Sequence, residues 1–218
     1  MRAITIAWKT ASHARTFQAN HGEGRQTRTA GLEAIAGAVA KAVKRLPPVH
    51  LWNPPFCGDL DMRIAADGTW FYLKTPIGRP ALVKLFASVL KREGDRYFLV
   101  TPVEKCGITV DDAPFVAVEL RVERPGPGQT LHFRTNVDDW VACGDGHALR
   151  FEPEPATGGL KPYVHVRRDL WARVKRALFY DLVDLGEARD VGGVRMFGVV
   201  SSGEFFAMAP ADTLEDLI

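Results

Sequence analysis

The stretch "RRDLWARVKRALFYDLVDLG", Arg167 to Gly186, decides how the second half of this chain is read. Leu170, Val174, Leu178 and Leu182 recur at every fourth position, a spacing that lays one apolar stripe along a helix. The strand-like run "KPYVHV" (161–166) precedes it, and "GVRMFGVVSSGEFFAMAP" (193–210) follows as a hairpin.

An earlier stretch, Pro76 to Leu90, has the same design. Arg79, Leu82, Phe86 and Leu90 match Arg167, Leu170, Val174 and Leu178 in spacing. Each stretch follows an aromatic strand, "WFY" (70–72) or "YVHV" (163–166). Each precedes an arginine-bearing strand, "GDRYFLV" (94–100) or "GVRMFGV" (193–199). One amphipathic helix is generic, but the ordered set predicts an internal duplication with Arg79 and Arg167 equivalent, each at a helix start. A cation there is disfavoured by the helix dipole unless it faces a partner. It either pairs with an acid or joins the helix N-terminus around an anion.

The rest of the chain alternates in period. "GLEAIAGAVAKAVKRL" (31–46) carries Leu32, Ile35, Ala36, Val39 and Val43 at helical spacing, with Lys41, Lys44 and Arg45 near its end and Pro47 and Pro48 as its stop. "DMRIA" and "TWFYLK" read as a hairpin, and Pro80 suits the first turn of the helix that follows. "GITVDDAPFVAVELRVER" holds one or two strands broken at "DDAP". In "LHFRTN", Leu131 and Phe133 face one way, His132 and Arg134 the other. "HALRFEP" is a further strand, and "ADTLEDLI" a terminal helix with Asp212 as a candidate cap. The fold class is therefore α+β, with two β-rich domains. Their expected bounds are 30–112, including the first helix, and 113–218, after a disordered basic leader at 1–29.

Charge is unevenly spread. Residues 1–50 carry eight Lys/Arg and two Asp/Glu, whereas the remaining 168 carry twenty and twenty-four. A slightly acidic body argues against a long nucleic acid as partner. No apolar run reaches 18 residues, so no membrane span is expected. Cys57, Cys106 and Cys143 are an odd, widely spaced set, which argues against a disulfide scaffold and for a reducing, cytoplasmic setting.

"HLWNPPFCGDLDMRI" (50–64) gathers His50, Trp52, Asn53, Asp59, Asp61 and Arg63 in an irregular connection. Asp59 and Asp61 share one face of a strand, and with His50 and Cys57 could approach a metal, but the spacing matches no metal motif. The plainer reading makes the aspartates turn caps or arginine partners. Cys143 and His147 stand four residues apart in a Gly-rich turn, a poor setting for a nucleophile. No G-x-G-x-x-G, P-loop, H-E-x-x-H, C-x-x-C or G-x-S-x-G occurs, so no residue asks for catalysis, a metal or a cofactor.

The combination "PPVHLWNPPFCGDLDMRIAADGTWFY", "TPI.R..LV.LF...L.RE", "YFLVTPVEK", "V.DAPFVAVE" and "FRTN" resembles the bacterial DUF1285 family, from about Gly31 to Met208. The resemblance implies a two-domain duplication whose C-terminal domain is similar to a pleckstrin-homology-like barrel. It further implies an interdomain binding surface for a nucleotide-like ligand and a signalling role. The expectation is a non-enzymatic ligand-binding or sensing module, with a protein-interaction module as the alternative and a nucleotide-processing or metal-dependent hydrolase behind both. Candidate ligand-binding residues are His50, Trp52, Asp59, Asp61, Arg79, Arg134, Asn136 and Arg167.

Overall fold

The computed structural model describes residues 31–37, 39–40, 47–126, 128–155 and 157–216. The expected basic leader (1–29) and the expected helix end bearing Lys41, Val43, Lys44 and Arg45 lie outside the described residues. The chain divides into two compact units, Met1–Asp111 and Asp112–Ile218.

In the first unit, residues 31–37 and 39–40 are helical and bury Ile35, Ala36 and Val39, as their spacing predicts. Six strands follow: β1 (Phe56–Ile64), β2 (Trp70–Tyr72), β3 (Thr75–Pro76), β4 (Leu90–Glu93), β5 (Arg96–Val100) and β6 (Lys105–Val110). Helix α1 (Pro80–Ser88) connects β3 to β4. Pro80 opens it, with Arg79 as an extended N-cap. The sheet order is β3-β2-β1-β6-β5-β4, with β1 and β6 parallel and the other neighbours antiparallel. Trp70 stacks on Phe86 of α1 with ring centroids 6.2 Å apart, and both are buried in the core with Met62, Ile64 and Leu99.

The apolar stripe through Val89 and Leu90 continues the α1 pattern in sequence, but the helix stops at Ser88. Leu90–Glu93 instead pairs with Arg96–Val100. The loop between them is the two residues Gly94 and Asp95, and Gly94 takes φ +59°, which a short hairpin favours.

The second unit has strands β7 (Phe115–Glu123), β8 (Thr130–Thr135), β9 (Trp140–Ala142), β10 (Leu149–Glu154), β11 (Gly159–Arg167) and β12 (Leu170–Val174). Their order is β10-β11-β12-β7-β8-β9, with β7 and β12 parallel. Strand for strand, this repeats the order of the first sheet: three strands step outward from the centre, and three return from the opposite edge. Helix α2 (Arg176–Asp184) follows β12. A three-stranded antiparallel sheet, β13 (Gly186–Val191), β14 (Val194–Ser201) and β15 (Glu204–Pro210), completes the unit, with a 3-10 turn at Ala211–Asp216. Ser201 ties the two sheets of this unit together: its Oγ accepts from the Leu131 amide at 2.9 Å and donates to the Cys143 carbonyl at 2.7 Å.

The duplication therefore lies in the strand order, and its expected alignment is corrected. Arg167 ends β11, nine positions before α2 begins, so it is not the counterpart of Arg79. Leu170 and Val174 lie on a strand with Ala172, and all three are buried while Trp171 and Arg173 are not. A spacing of four is even, so it marks one face of a strand as well as one face of a helix. The turn before β12 is Arg168-Asp169, with Arg168 at φ +52° and no glycine to announce it.

The six-stranded sheet of this unit is open, with β9 and β10 as its edges. It does not form the closed barrel that the pleckstrin-homology resemblance implies. The alternation in β8 is as expected: Leu131 and Phe133 are buried, and His132 and Arg134 face outward.

Candidate functional site

The eight residues singled out in sequence fall into both units. In the first, His50 is exposed in a 3-10 turn, Val49–Leu51, whose Val49 is buried. Trp52 packs half-buried on Val49, Phe98 and Val100, and its carbonyl accepts from Lys91 Nζ at 3.1 Å. Asp59 pairs with Arg96 at 2.6 Å on the exposed face of β1. The Asp61 carbonyl accepts from the Leu73 amide at 2.9 Å, within the β1–β2 region. Arg79 forms an ion pair with Glu33 of the helical residues 31–37.

In the second unit, Arg134, Asn136 and Arg167 gather around the β8–β9 turn. Arg134 binds Glu119 at 2.6 Å and Asp138 at 2.8 Å. Asn136 Oδ1 accepts from the Val116 amide at 3.0 Å, while its own amide donates to the Val116 carbonyl at 2.8 Å. Arg167 pairs with Asp139 and lies 4.9 Å over the Phe115 ring. This cluster pins the turn to β7, and each of these polar groups is engaged by a structural partner. The Glu119 carboxyl sits below the ordinary glutamate range because Arg134, and then Arg121, hydrogen-bond to it.

Among the described residues no group of three His, Cys, Asp or Glu could hold a metal ion. Cys143 is fully buried, and burial pushes its thiol up to about 12, far from the thiolate a nucleophile needs. Cys57 and Cys106 form a disulfide. This corrects the expectation from cysteine spacing: the two are 49 residues apart, but β1 and β6 lie side by side.

A concave group that the sequence reading missed lies at the start of α2. Glu154, Thr157, Lys161, Arg173, Arg176 and Phe179 line a hollow of about 50 Å³. A water needs roughly 10–15 Å³ of such space, so the hollow takes several waters or one phosphate-sized group. Lys161 and Arg173 reach Glu154 at 3.3 and 4.0 Å, and Arg173 also reaches Asp112 at 3.3 Å. Arg176 Nε donates to the hydroxyl of Tyr180, a residue 40% exposed. The Thr157 hydroxyl, and then Lys161, hold the Glu154 carboxyl below its ordinary range.

Lys161, Arg173 and Arg176 thus line the hollow with Glu154 as the acid among its lining residues, while Asp112 takes part of the Arg173 charge. The N-cap of α2, Lys175, makes no side-chain cap, and no acid stands in the first turn. The partial positive charge of the helix start adds to the same field. Chemically, this arrangement can attract and orient an anion, and the Thr157 hydroxyl at its rim donates to Glu154 at 2.7 Å. The scattered basic residues of "KPYVHVRR" and "RVKR" were its only trace in sequence, because β11 and β12 must pair before Lys161 and Arg173 can meet.

Comparison with protein families places residues 47–113 in the N-terminal domain of DUF1285, a domain of unknown function, and residues 114–208 in the DUF1285 C-terminal domain. The crystal structure of a DUF1285 family protein from Silicibacter pomeroyi DSS-3, at 2.50 Å, is 55% identical and superposes with a TM-score of 0.79. The match covers 84% of this chain and 97% of that one. A second, from Shewanella baltica OS155 at 1.40 Å, is 32% identical over 57% of this chain and 91% of that one, with a TM-score of 0.46. Comparison with curated proteins finds no match. Among the described residues no helix is long and apolar enough to cross a membrane.

Proposed function

This chain belongs to the DUF1285 family, and from that premise we propose that it is a non-enzymatic binding module that senses a small nucleotide-like anion. The observation that carries this reading is the convergence of Lys161, Arg173 and Arg176 on the hollow at the start of α2. The hollow fits a phosphate group and not a whole nucleotide, so the rest of the ligand would extend outward along exposed Tyr180. An aromatic ring beside an arginine suits a base above a phosphate. With no chemistry to perform, such a module reports occupancy to a partner, which is the signalling role the family resemblance implies.

The test is thermal melting of the full chain against inorganic phosphate, nucleoside phosphates and cyclic dinucleotides. A concentration-dependent rise in Tm that disappears in Lys161→Ala and Arg176→Ala supports the proposal. A flat panel with folded variants rejects it. One observation favours the alternative, a protein-interaction module: the first unit exposes Leu51, Phe56 and Val103.

A further inference from the structure

We propose that Cys57 and Cys106 form a thiol–disulfide exchange site, in which Cys57 is the sulfur that a small-molecule thiol attacks and Cys106 is the resolving sulfur. The proposal is independent of the anion reading and rests on the first unit alone. The two cysteines are bonded across neighbouring parallel strands, with Cα atoms 5.5 Å apart. Their surroundings differ sharply. Cys57 is exposed near the start of β1, whereas Cys106 is 2% exposed and pairs with fully buried Leu99 of β5.

The strand is irregular at this point. Phe56 pairs with Lys105 and Asp59 with Gly107, so Cys57 and Gly58 together oppose Cys106 alone. This is a bulge, and Gly58 takes φ +108° within it. The disulfide therefore spans a place where the backbone ladder is already interrupted. In the disulfide-bonded structure Cys57 Sγ lies 3.2 Å from the Lys105 carbonyl oxygen, an acceptor a Cys57 thiol at this position would reach.

Exchange requires the attacking thiolate, the attacked sulfur and the leaving sulfur in line. Of the two sulfurs, Cys57 belongs to an exposed residue and Cys106 to a buried one, so attack falls on Cys57. A thiolate RS⁻ forms a bond to Cys57 Sγ, the Cys57–Cys106 bond breaks, and its electron pair leaves on Cys106, which takes a proton from water. A second RS⁻ attacks the R sulfur of the mixed disulfide, releasing RSSR and the Cys57 thiolate. The balance is two small thiols oxidised and one protein disulfide reduced. Cys106 stands beside the mixed disulfide throughout, so the reverse attack, which expels RS⁻, competes with the second step. The adduct on Cys57 is short-lived for that reason.

The experiment uses the full chain and oxidised glutathione as probe, read by intact mass and peptide mapping under native conditions. Cys106→Ser should hold one glutathione on Cys57. Cys57→Ser should take none. Reduced wild type should return to the internal disulfide without lasting adduct. In parallel, reduced native wild type is pulsed with iodoacetamide, which needs no variant to fold. Cys57 should alkylate at least about tenfold faster than Cys106, with Cys143 silent. Equal rates at Cys57 and Cys106, a stable adduct on wild type, or glutathione on Cys106 in Cys57→Ser would overturn the assignment.

Discussion

Gly198 of β14 faces the carbonyl of Phe206 in β15 so closely that a methyl group at Gly198 would lie 2.3 Å from that oxygen. The same methyl would stand 2.9 Å from the Ala207 Cα. Both contacts are backbone, so neither can swing aside. The register slips between Phe197 and Gly198, and the glycine lets the strands close at that slip. Gly198→Ala should destabilise the second unit by about 1–3 kcal/mol, the usual cost of forced overpacking. Denaturant unfolding with an unchanged m-value checks this; a loss below about 0.5 kcal/mol would contradict it.

Tyr163 donates to Asp112 at 2.7 Å, and Arg173 supports the same carboxylate at 3.3 Å. Tyr163→Phe should cost about 1.5–3 kcal/mol, the range for a hydrogen bond to a charged group. Burial first, and Asp112 second, raise the Tyr163 phenol far above its ordinary value. The folded state then holds that proton more tightly than the unfolded chain. Its contribution is intact below the ordinary tyrosine pKa and falls as pH rises past it. Tyr72 is shifted in the same direction, by burial and then by Asp61. The alkaline loss of stability should therefore shrink in Tyr163→Phe without vanishing.

Glu93 lies between Lys105 at 2.8 Å and Lys91 at 2.9 Å. Hydrogen bonds from Lys105, then Lys91, keep its carboxyl below the ordinary glutamate range. The folded state binds that proton less tightly than the unfolded chain, so the contribution is present above the ordinary value and lost as pH falls through it. Glu93→Gln should flatten the acid limb of the stability curve. At neutral pH it should cost about 1 kcal/mol, allowing for solvent screening at a partly exposed site. An unchanged acid limb would show that other carboxylates carry it.

Reduction of Cys57–Cys106 frees a loop of 49 residues. The chain-entropy estimate for such a loop is about 4 kcal/mol. Amide exchange in β1 and β6 should accelerate on reduction, while β7, β8 and β12 keep their protection, because the second unit holds only buried, free Cys143. Exchange that accelerates equally in both units would refute this division.

What was legible in sequence was whatever depends on neighbours along the chain. The alternation of Leu131 and Phe133, Pro80 at a helix start and the β14–β15 hairpin are local patterns, and the fold follows them. β12 is hidden in the sequence because Leu170 and Val174 satisfy both periods. β13, "GEARDV", offered almost no apolar signal, since five of its six residues are exposed. β9 is three residues long, too short for a pattern. The partners of Arg79 and Arg167, the disulfide and the hollow at α2 all join residues from separate elements. Glu33 is 46 positions from Arg79, and no spacing rule reaches that far.

Each six-stranded sheet places its first strand beside its last, β1 against β6 and β7 against β12. For a chain emerging from the ribosome this fixes an order of events. β1 is complete at Ile64, but the strand that covers its flank begins at Lys105. At about 5–20 residues per second, the nascent sheet waits several seconds with its centre unfilled. Until then Cys57 has no partner, and β1 presents an open backbone edge to neighbouring nascent chains. The second sheet imposes the same wait between Glu123 and Leu170. Synthesis arrested just short of either closing strand should leave that unit without its central pairing, however much of its outer meander has formed.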